Sequence, residues 1–72
     1  MKIHIALTKE ADYWIARCVE FMITDTGASK EEAIRNVKKA IAEISKEYKL
    51  KRLPDQEDTF KEWEIVQEYI EL

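Results

Sequence analysis

The stretch from Ser29 to Tyr48 is the feature that most constrains the fold of this chain. Ser29 and Glu32 have the spacing of a capping box, in which the serine hydroxyl accepts a hydrogen bond from the third helical amide and the glutamate reaches back to the serine amide. Apolar residues then recur at steps of three and four, with charged residues between them. This apolar stripe consists of Ala33, Ile34, Val37, Ala40, Ile41, Ile44 and Tyr48. The pattern predicts one amphipathic helix with a single face to bury.

Alternating stretches before the helix predict three β-strands. Lys2–Thr8 places an aliphatic residue at every second position, residues 9–12 form a polar turn, and Tyr13–Val19 follows as the second strand. Both faces of this second strand carry apolar residues, so we expect both to be covered. A shorter third strand is expected over Phe21–Asp25. Gly27, the only glycine, is expected to hold a backbone angle that a side chain would penalise.

The last segment fits two different structures. Pro54 ends the helical pattern, and a polar connection leads to Thr59–Leu72. This segment is rich in β-forming residues and contains an alternating pattern typical of a strand. Thr59 and Glu62, however, repeat the capping-box spacing, and the apolar residues would cover about half of a helical wheel. The residues alone support the strand and the helix about equally.

Length and charge limit the class of protein. A chain of 72 residues is one small domain, and at this size folding buries only about 60–65% of the extended surface, so we expect core area to come from a partner subunit. Cys18 is the only cysteine, which excludes an internal disulfide and fits a reducing compartment. No apolar run is long enough for a membrane span or a signal peptide, so the chain is expected to be cytoplasmic. A net charge of −3 argues against general nucleic-acid binding.

The order of the predicted elements resembles the HicB-like antitoxin family. The residues that carry the resemblance are Tyr13–Phe21, then Thr26–Ser29, then Glu31–Ala33. The family's usual form is a Tyr-Val-Ala stretch, a Pro-Glu-Leu step, a Gln-Gly pair, a Thr or Ser, and Glu-Glu-Ala-Leu. Here Val19 stands in place of the proline, Phe21 in place of the leucine and Thr26 in place of the glutamine. The resemblance extends from Met1 to about Tyr48.

The resemblance implies an α+β fold of order β-β-β-α-β. The family fold is an antiparallel three-stranded meander with one helix packed across it and a C-terminal fourth strand. It is similar to part of the ribonuclease H sheet. This favours a strand over Glu64–Leu72. The resemblance also implies self-association into dimers or larger oligomers, and inhibition of a small basic RNA-cleaving toxin of the HicA type. Family members often continue into a DNA-binding domain; this chain stops where that domain would begin, so we expect a single HicB-like domain over residues 1–72 without direct nucleic-acid contact.

Catalysis and metal binding are not expected. A catalytic base needs a positioned partner, and a zinc site needs three or four ligands. His4 and Cys18 are the only residues of their types, so we expect His4 to be exposed or at an interface and Cys18 to be a small buried residue. A two-metal nuclease needs several converging acids, and the first strand has none. We therefore assign no catalytic residue, metal ligand or cofactor site, and predict that the protein is not an enzyme.

Acidic and aromatic residues beside the strands are the predicted partner contacts. The acidic residues of the last segment fit a solvated strand edge on which charges block unwanted pairing, and they also fit a negative surface that attracts a basic protein. The predicted contact residues are Glu20, Asp25, Trp63, Glu64, Glu68 and Tyr69. The leading hypothesis is a protein-binding module of the HicB antitoxin type, which self-associates through the sheet face or edge that its helix leaves uncovered. The alternative is an orphan oligomeric regulatory or ligand-binding module with no toxin partner.

Overall fold

The predicted helix forms and Ser29 caps it as predicted, whereas the described residues show no return bond from the Glu32 carboxylate to the Ser29 amide. A computed structural model describes residues 1–53 and 57–71, in which helix α1 spans Lys30–Glu47. Ser29 is the N-cap, and its hydroxyl accepts a hydrogen bond from the Glu32 amide at 3.2 Å. Tyr48 closes the helix with an extended backbone while its amide donates to the Ile44 carbonyl. Among the described residues, no helix has the length and apolar character needed to cross a membrane.

Four antiparallel strands form one sheet beside this helix. They are β1, Lys2–Glu10; β2, Tyr13–Cys18; β3, Thr24–Gly27; and β4, Glu64–Tyr69. Their order across the sheet is β3-β2-β1-β4, so that β3 and β4 are the edges. The predicted α+β fold of order β-β-β-α-β is therefore confirmed. The strand interpretation of the last segment is also correct, and a short 3-10 helix, Glu57–Phe60, precedes β4.

The boundaries of the first three strands differ from the prediction. β1 continues to Glu10, so the hairpin turns at two residues, Ala11 and Asp12, with Ala11 in the left-handed region at φ 49°. β2 ends one residue early, at Cys18. The predicted polar connection ran over residues 54–58, of which 54–56 lie outside the described residues and the last two belong to the 3-10 helix. Leu72, at the end of the predicted fourth strand, also lies outside the described residues.

The third strand starts later than the predicted Phe21–Asp25. A tight turn after β2 uses the first residues of that range: the Met22 amide donates to the Cys18 carbonyl at 2.7 Å, with Met22 at φ 57°. The Cys18 amide in turn donates to the Ile23 carbonyl at 2.8 Å. Because the turn takes up these residues, β3 occupies Thr24–Gly27.

The main core lies between α1 and one face of the sheet. Every second residue of β1 points into it, and α1 contributes Ala33, Val37 and Ile41, all fully buried. The last two residues of the predicted stripe do not belong to this core. Ile44 lies a turn beyond Ile41 and is exposed, and Tyr48 is exposed because its extended backbone carries it off the helical stripe. The core consists of Ile3, Ile5, Leu7, Ala16, Cys18, Ala33, Val37, Ile41 and Ile70.

The segment before β4 covers part of the opposite face of the sheet. Ala6 and Arg17 are register partners on this face, and Ala6 is fully buried. The Arg17 guanidinium lies 5.7 Å from the centre of the Trp63 ring, and Trp63 packs edge-on against Phe60 at 5.3 Å. Phe60 ends the 3-10 helix and is itself buried. Thus both faces of the hairpin receive cover, as the sequence predicts, one from α1 and the other from the segment around Phe60.

Gly27 is required for space rather than for its backbone angle. Its φ is not positive, so the predicted reason is wrong. A Cβ on Gly27 would lie 2.8 Å from the Glu32 carbonyl carbon and 2.9 Å from the Ala33 Cα, and closer still to the Ala33 nitrogen. These are backbone atoms in the first turn of α1, which cannot move without moving the helix. Gly27 therefore sets how closely the helix approaches the end of β3.

We expect Gly27→Ala to destabilise the fold by about 3 kcal/mol, because overpacking against backbone shifts the whole helix. The neighbouring Ala28→Ser adds one atom at an exposed position and should change stability by less than about 0.5 kcal/mol. Urea denaturation of the two variants provides the comparison. Equal stability for Gly27→Ala and Ala28→Ser would mean that the close approach is not rigid.

Burial of the helix face is tested by a second pair of variants. Ile41→Asp places an unpaired carboxylate in the core and should cost about 3–5 kcal/mol, enough to unfold most of a domain this small. Ser29→Ala removes one cap bond and should cost about 1 kcal/mol. Thermal melts followed by circular dichroism measure both. If Ile41→Asp melts at or above the temperature of Ser29→Ala, the assignment of the buried helix face is wrong.

Candidate protein-binding surface

The predicted contact residues do not come together on one surface. Asp25 lies on β3, whereas Glu64 and Glu68 lie on β4, at the opposite edge of the sheet. Three strand spacings, about 14 Å, separate these edges. Glu64 and Glu68 extend from the helix-facing side of β4, while Tyr69, the register partner of Lys2, extends from the other side. Only the β4 residues are neighbours.

Glu20 is buried, so the expectation that it is an exposed charge is wrong. Its residue exposure is 6%, and both carboxylate oxygens are hydrogen-bonded within the chain. Oε1 accepts from the His4 backbone amide at 2.8 Å, and Oε2 lies 2.7 Å from Nδ1 of the His4 ring. Arg52 adds a guanidinium nitrogen 3.5 Å from Oε2, and the Leu53 amide donates to the Glu20 carbonyl at 2.8 Å. Glu20 therefore joins β1, the end of β2 and the segment after α1.

The hydrogen bonds to Glu20 favour its charged form. Burial alone would raise its pKa, but the bonds from the His4 amide and ring outweigh burial and hold the pKa of Glu20 below the ordinary value of 4.5. The carboxylate thus stays ionised in the folded protein at neutral pH. Its role in the structure is that of an internal anchor.

His4 has a positioned carboxylate partner that the sequence reasoning did not identify. A histidine held by a carboxylate can act as a general base when a nucleophile lies on its other side. The neighbouring thiol is that of Cys18, which is buried and directed at Glu20, with Sγ 3.7 Å from Oε1. Burial raises the pKa of the Cys18 thiol, so its reactive thiolate form is disfavoured. The described residues also contain no group of three or more His, Cys, Asp or Glu side chains placed to hold a metal ion.

Two ion pairs connect α1 to β4. Lys30 Nζ lies 2.8 Å from a Glu64 oxygen, and Lys38 Nζ lies 3.1 Å from a Glu68 oxygen. All four side chains are partly exposed, so each pair contributes at most about 1 kcal/mol to stability. The pairs matter more for charge, because Glu64 and Glu68, two of the four acids expected to attract a basic partner, are each already paired with a lysine of the same chain.

A groove runs between α1 and β4 beside these pairs. It encloses about 300 Å³ and is open to solvent. Ile34 supplies an apolar wall, and the remaining lining residues are charged, with both signs present. The lining residues are Glu31, Ile34, Arg35, Lys38 and Glu68. A groove this open to solvent suits one or a few side chains of another protein better than an enclosed small molecule.

The outer strand β4 adds exposed apolar area to this side of the chain. Ile65 is 46% exposed and Tyr69 is 68% exposed, and both extend from the face opposite the helix. Trp63, immediately before β4, is half-buried because its ring packs on Phe60 and Arg17. Tyr69 is therefore the more available of the two predicted aromatic contacts. We refer to the α1–β4 groove together with strand β4 as the β4 surface.

The lysines and Ile34 were not identified as site residues from the sequence, although a spacing could have indicated the lysines. Lys30 and Lys38 are two turns apart, about 12 Å along a helix. Glu64 and Glu68 are four residues apart, about 13 Å along a strand. The two spacings match, so a parallel helix and strand bring both pairs into register.

The buried anchor predicts how stability depends on pH. Since the pKa of Glu20 is lowered on folding, its ionisation contributes stability that is fully present above pH 4.5 and is lost as the pH decreases through the lowered folded value. Glu20→Gln should therefore be less stable than the wild type at pH 7, and the difference should shrink at pH 3. Urea denaturation at both pH values measures this. Glu43→Gln, an exposed helix position, is the control and should change stability by less than about 0.5 kcal/mol at either pH. A Glu20→Gln difference that is the same at both pH values would contradict the anchor.

No protein-family model, no curated protein and no solved structure matches this chain.

Proposed function

We propose that this chain is a protein-binding module of the HicB antitoxin type, without enzymatic activity, that inhibits a small basic RNA-cleaving toxin by covering its active site. It acts in the cytoplasm and uses no cofactor. The order of strands and helix is the one that the resemblance implies. The motif residues around β2 and the start of α1 support the same assignment.

The β4 surface is the observation on which the proposal rests. The open groove lies on the helix side of β4, and Ile65 and Tyr69 are exposed on its other side. Among the described residues, no further strand pairs with the outer edge of β4. Interfaces commonly combine a desolvated aromatic centre with a polar rim. In the groove, Ile34 would supply an apolar centre and the ion-paired residues the polar rim, whereas Tyr69 lies on the other face of β4.

Inhibition would depend on contact rather than on chemistry. The Glu64 and Glu68 carboxylates are half-exposed and held by lysines at little gain in stability. An arginine or lysine of a basic toxin can therefore bind to either carboxylate while the lysine returns to solvent. Such exposed charges act mainly on the association rate, so binding should weaken as salt is added.

The same ion pairs favour the second candidate function. Because Lys30 and Lys38 neutralise Glu64 and Glu68, the β4 surface offers a basic partner less free negative charge than the sequence suggests. This supports an orphan oligomeric module, regulatory or ligand-binding, with no toxin partner. Binding to a toxin separates the two functions, because only the antitoxin should bind one. The association rate of such an electrostatically steered complex should fall as salt is added.

Calorimetry with a HicA-like toxin from the same host tests the proposal. We expect binding, and suppression of the toxin's RNA cleavage at equimolar antitoxin. Glu68→Lys should slow association on the order of tenfold at low salt, because it reverses a charge at the contact. Glu43→Lys makes the same change in net charge on an exposed part of α1 and should leave the rate unchanged.

The orphan-module function is favoured over the antitoxin function if this chain and the toxin, both folded, give no heat of binding and no inhibition at tens of micromolar. Equal effects of Glu68→Lys and Glu43→Lys would retain binding but place it away from the β4 surface.

A further inference from the structure

The two edges of the sheet differ in whether their backbone is available. At the β3 edge, the Cys18–Ile23 hydrogen bond shows which residues direct their backbone amide and carbonyl towards β2. Asp25 directs these groups towards β2, and Thr26 directs them outward. The Thr26 amide donates to the Asp25 carboxylate at 2.7 Å, and the Thr26 carbonyl accepts from the Asn36 side chain at 2.9 Å. Both outward backbone groups of Thr26 are thus occupied by side chains of the same chain, which blocks a further strand at the middle of this short edge.

The β4 edge is open. Met1 and Ile70 exchange two backbone hydrogen bonds, of 2.8 and 3.0 Å, so the even-numbered residues of β4 face β1. Ile65, Gln67 and Tyr69 therefore direct their amides and carbonyls outward. Within the part of the chain that the structure describes, no group bonds to them. β4 also contains no proline or lysine, residues that commonly protect an edge strand.

We propose that two copies of this chain pair through β4, antiparallel, with Gln67 on the two-fold axis. This register places Ile65 of each copy opposite Tyr69 of the other. All three outward-facing residues then form hydrogen-bonded pairs, about six backbone bonds in total. The result is one continuous sheet of eight strands. The inference does not depend on the proposed antitoxin function.

The side chains select this register over its neighbours. Ile65 and Tyr69, both exposed in the single chain, cover each other on the face away from α1. On the helix side, Glu68 of one copy faces Val66 of the other, so like charges do not meet. A dyad moved to Val66 would set Glu64 opposite Glu68, and one moved to Glu68 would set two Glu68 side chains opposite each other. Both alternatives bring acids together, which disfavours them.

The acidic side chains do not block this pairing. Side chains of a strand extend perpendicular to the sheet, and Glu64 and Glu68 bend towards Lys30 and Lys38 on α1. Their charges therefore lie above the sheet and not in the path of an incoming strand. Pairing also brings the two α1–β4 grooves to either side of the dyad, where they form one wider depression between the two helices.

Disulfide trapping tests the register. In a hydrogen-bonded antiparallel pair the Cα atoms of opposite residues are about 5.5 Å apart, within the range that a disulfide spans. Gln67→Cys should therefore form a covalent dimer under mild oxidation. Thr26→Cys, at the outward position of the blocked β3 edge, is the matched control and should remain a single chain, as should the wild type, whose Cys18 is buried.

Sedimentation equilibrium tests the interface itself. At tens of micromolar the wild type should have twice the 8.5 kDa mass of one chain. Gln67→Lys sets two cations opposite each other and should weaken the dimer on the order of tenfold or more, while Thr26→Lys should not. A wild type of single-chain mass, or a dimer that Gln67→Cys fails to cross-link, overturns the proposal. If Gln67→Lys is misfolded by circular dichroism, the cross-linking comparison decides alone.

Discussion

The close approach of Gly27 to the first turn of α1 determines where the helix lies on the sheet. Because the Gly27 backbone touches the backbone at Ala33, the helix starts directly beside the end of β3 and stays nearest to β3 and β2. The helix therefore does not cover β4 as fully as it covers the other edge. Lysine side chains bridge the remaining distance to β4, and the α1–β4 groove is the space that they cross. The candidate binding surface is thus a consequence of where one glycine allows the helix to sit.

A second constraint fixes the segment between α1 and β4. This segment has to pass from the end of the helix to the start of the far edge strand, and it is held at one point by Glu20 through Arg52 and Leu53. It then contributes Phe60 and Trp63 to the face opposite α1. A buried carboxylate would be costly without partners, and the His4 amide and ring supply them. The anchor therefore holds the start of this connection, at Arg52 and Leu53, against the sheet.

Local patterns were enough to predict the helix, its serine cap and the existence of the first three strands, because their evidence lies within a few residues, whereas the fourth strand was favoured only by the resemblance. The Ser29 cap and the burial of Ile41 follow from spacing alone. Errors arose where a residue's surroundings come from distant parts of the chain. Glu20 looks like a surface acid at a strand end, yet the hairpin register places it beside His4 and the returning segment brings Arg52. Gly27 looks like a turn residue, and only the packed helix shows that the missing Cβ matters for space.

The contrast between the two sheet edges is what would let one small chain both pair with itself and bind another protein, as proposed. Asn36 reaches from α1 to block the β3 edge, which it can do because the helix lies on that side. Because α1 lies nearer to β3, no side chain of the helix covers the β4 edge in this way among the described residues. Self-pairing would use the backbone of β4 and the face of Ile65, whereas a partner in the groove would contact the helix side of the same strand. Self-pairing and partner binding would use different atoms of β4. Each would therefore hold β4 in place for the other. Coupling of this kind is reciprocal: a partner that binds the paired form more tightly must also strengthen the pairing by the same factor.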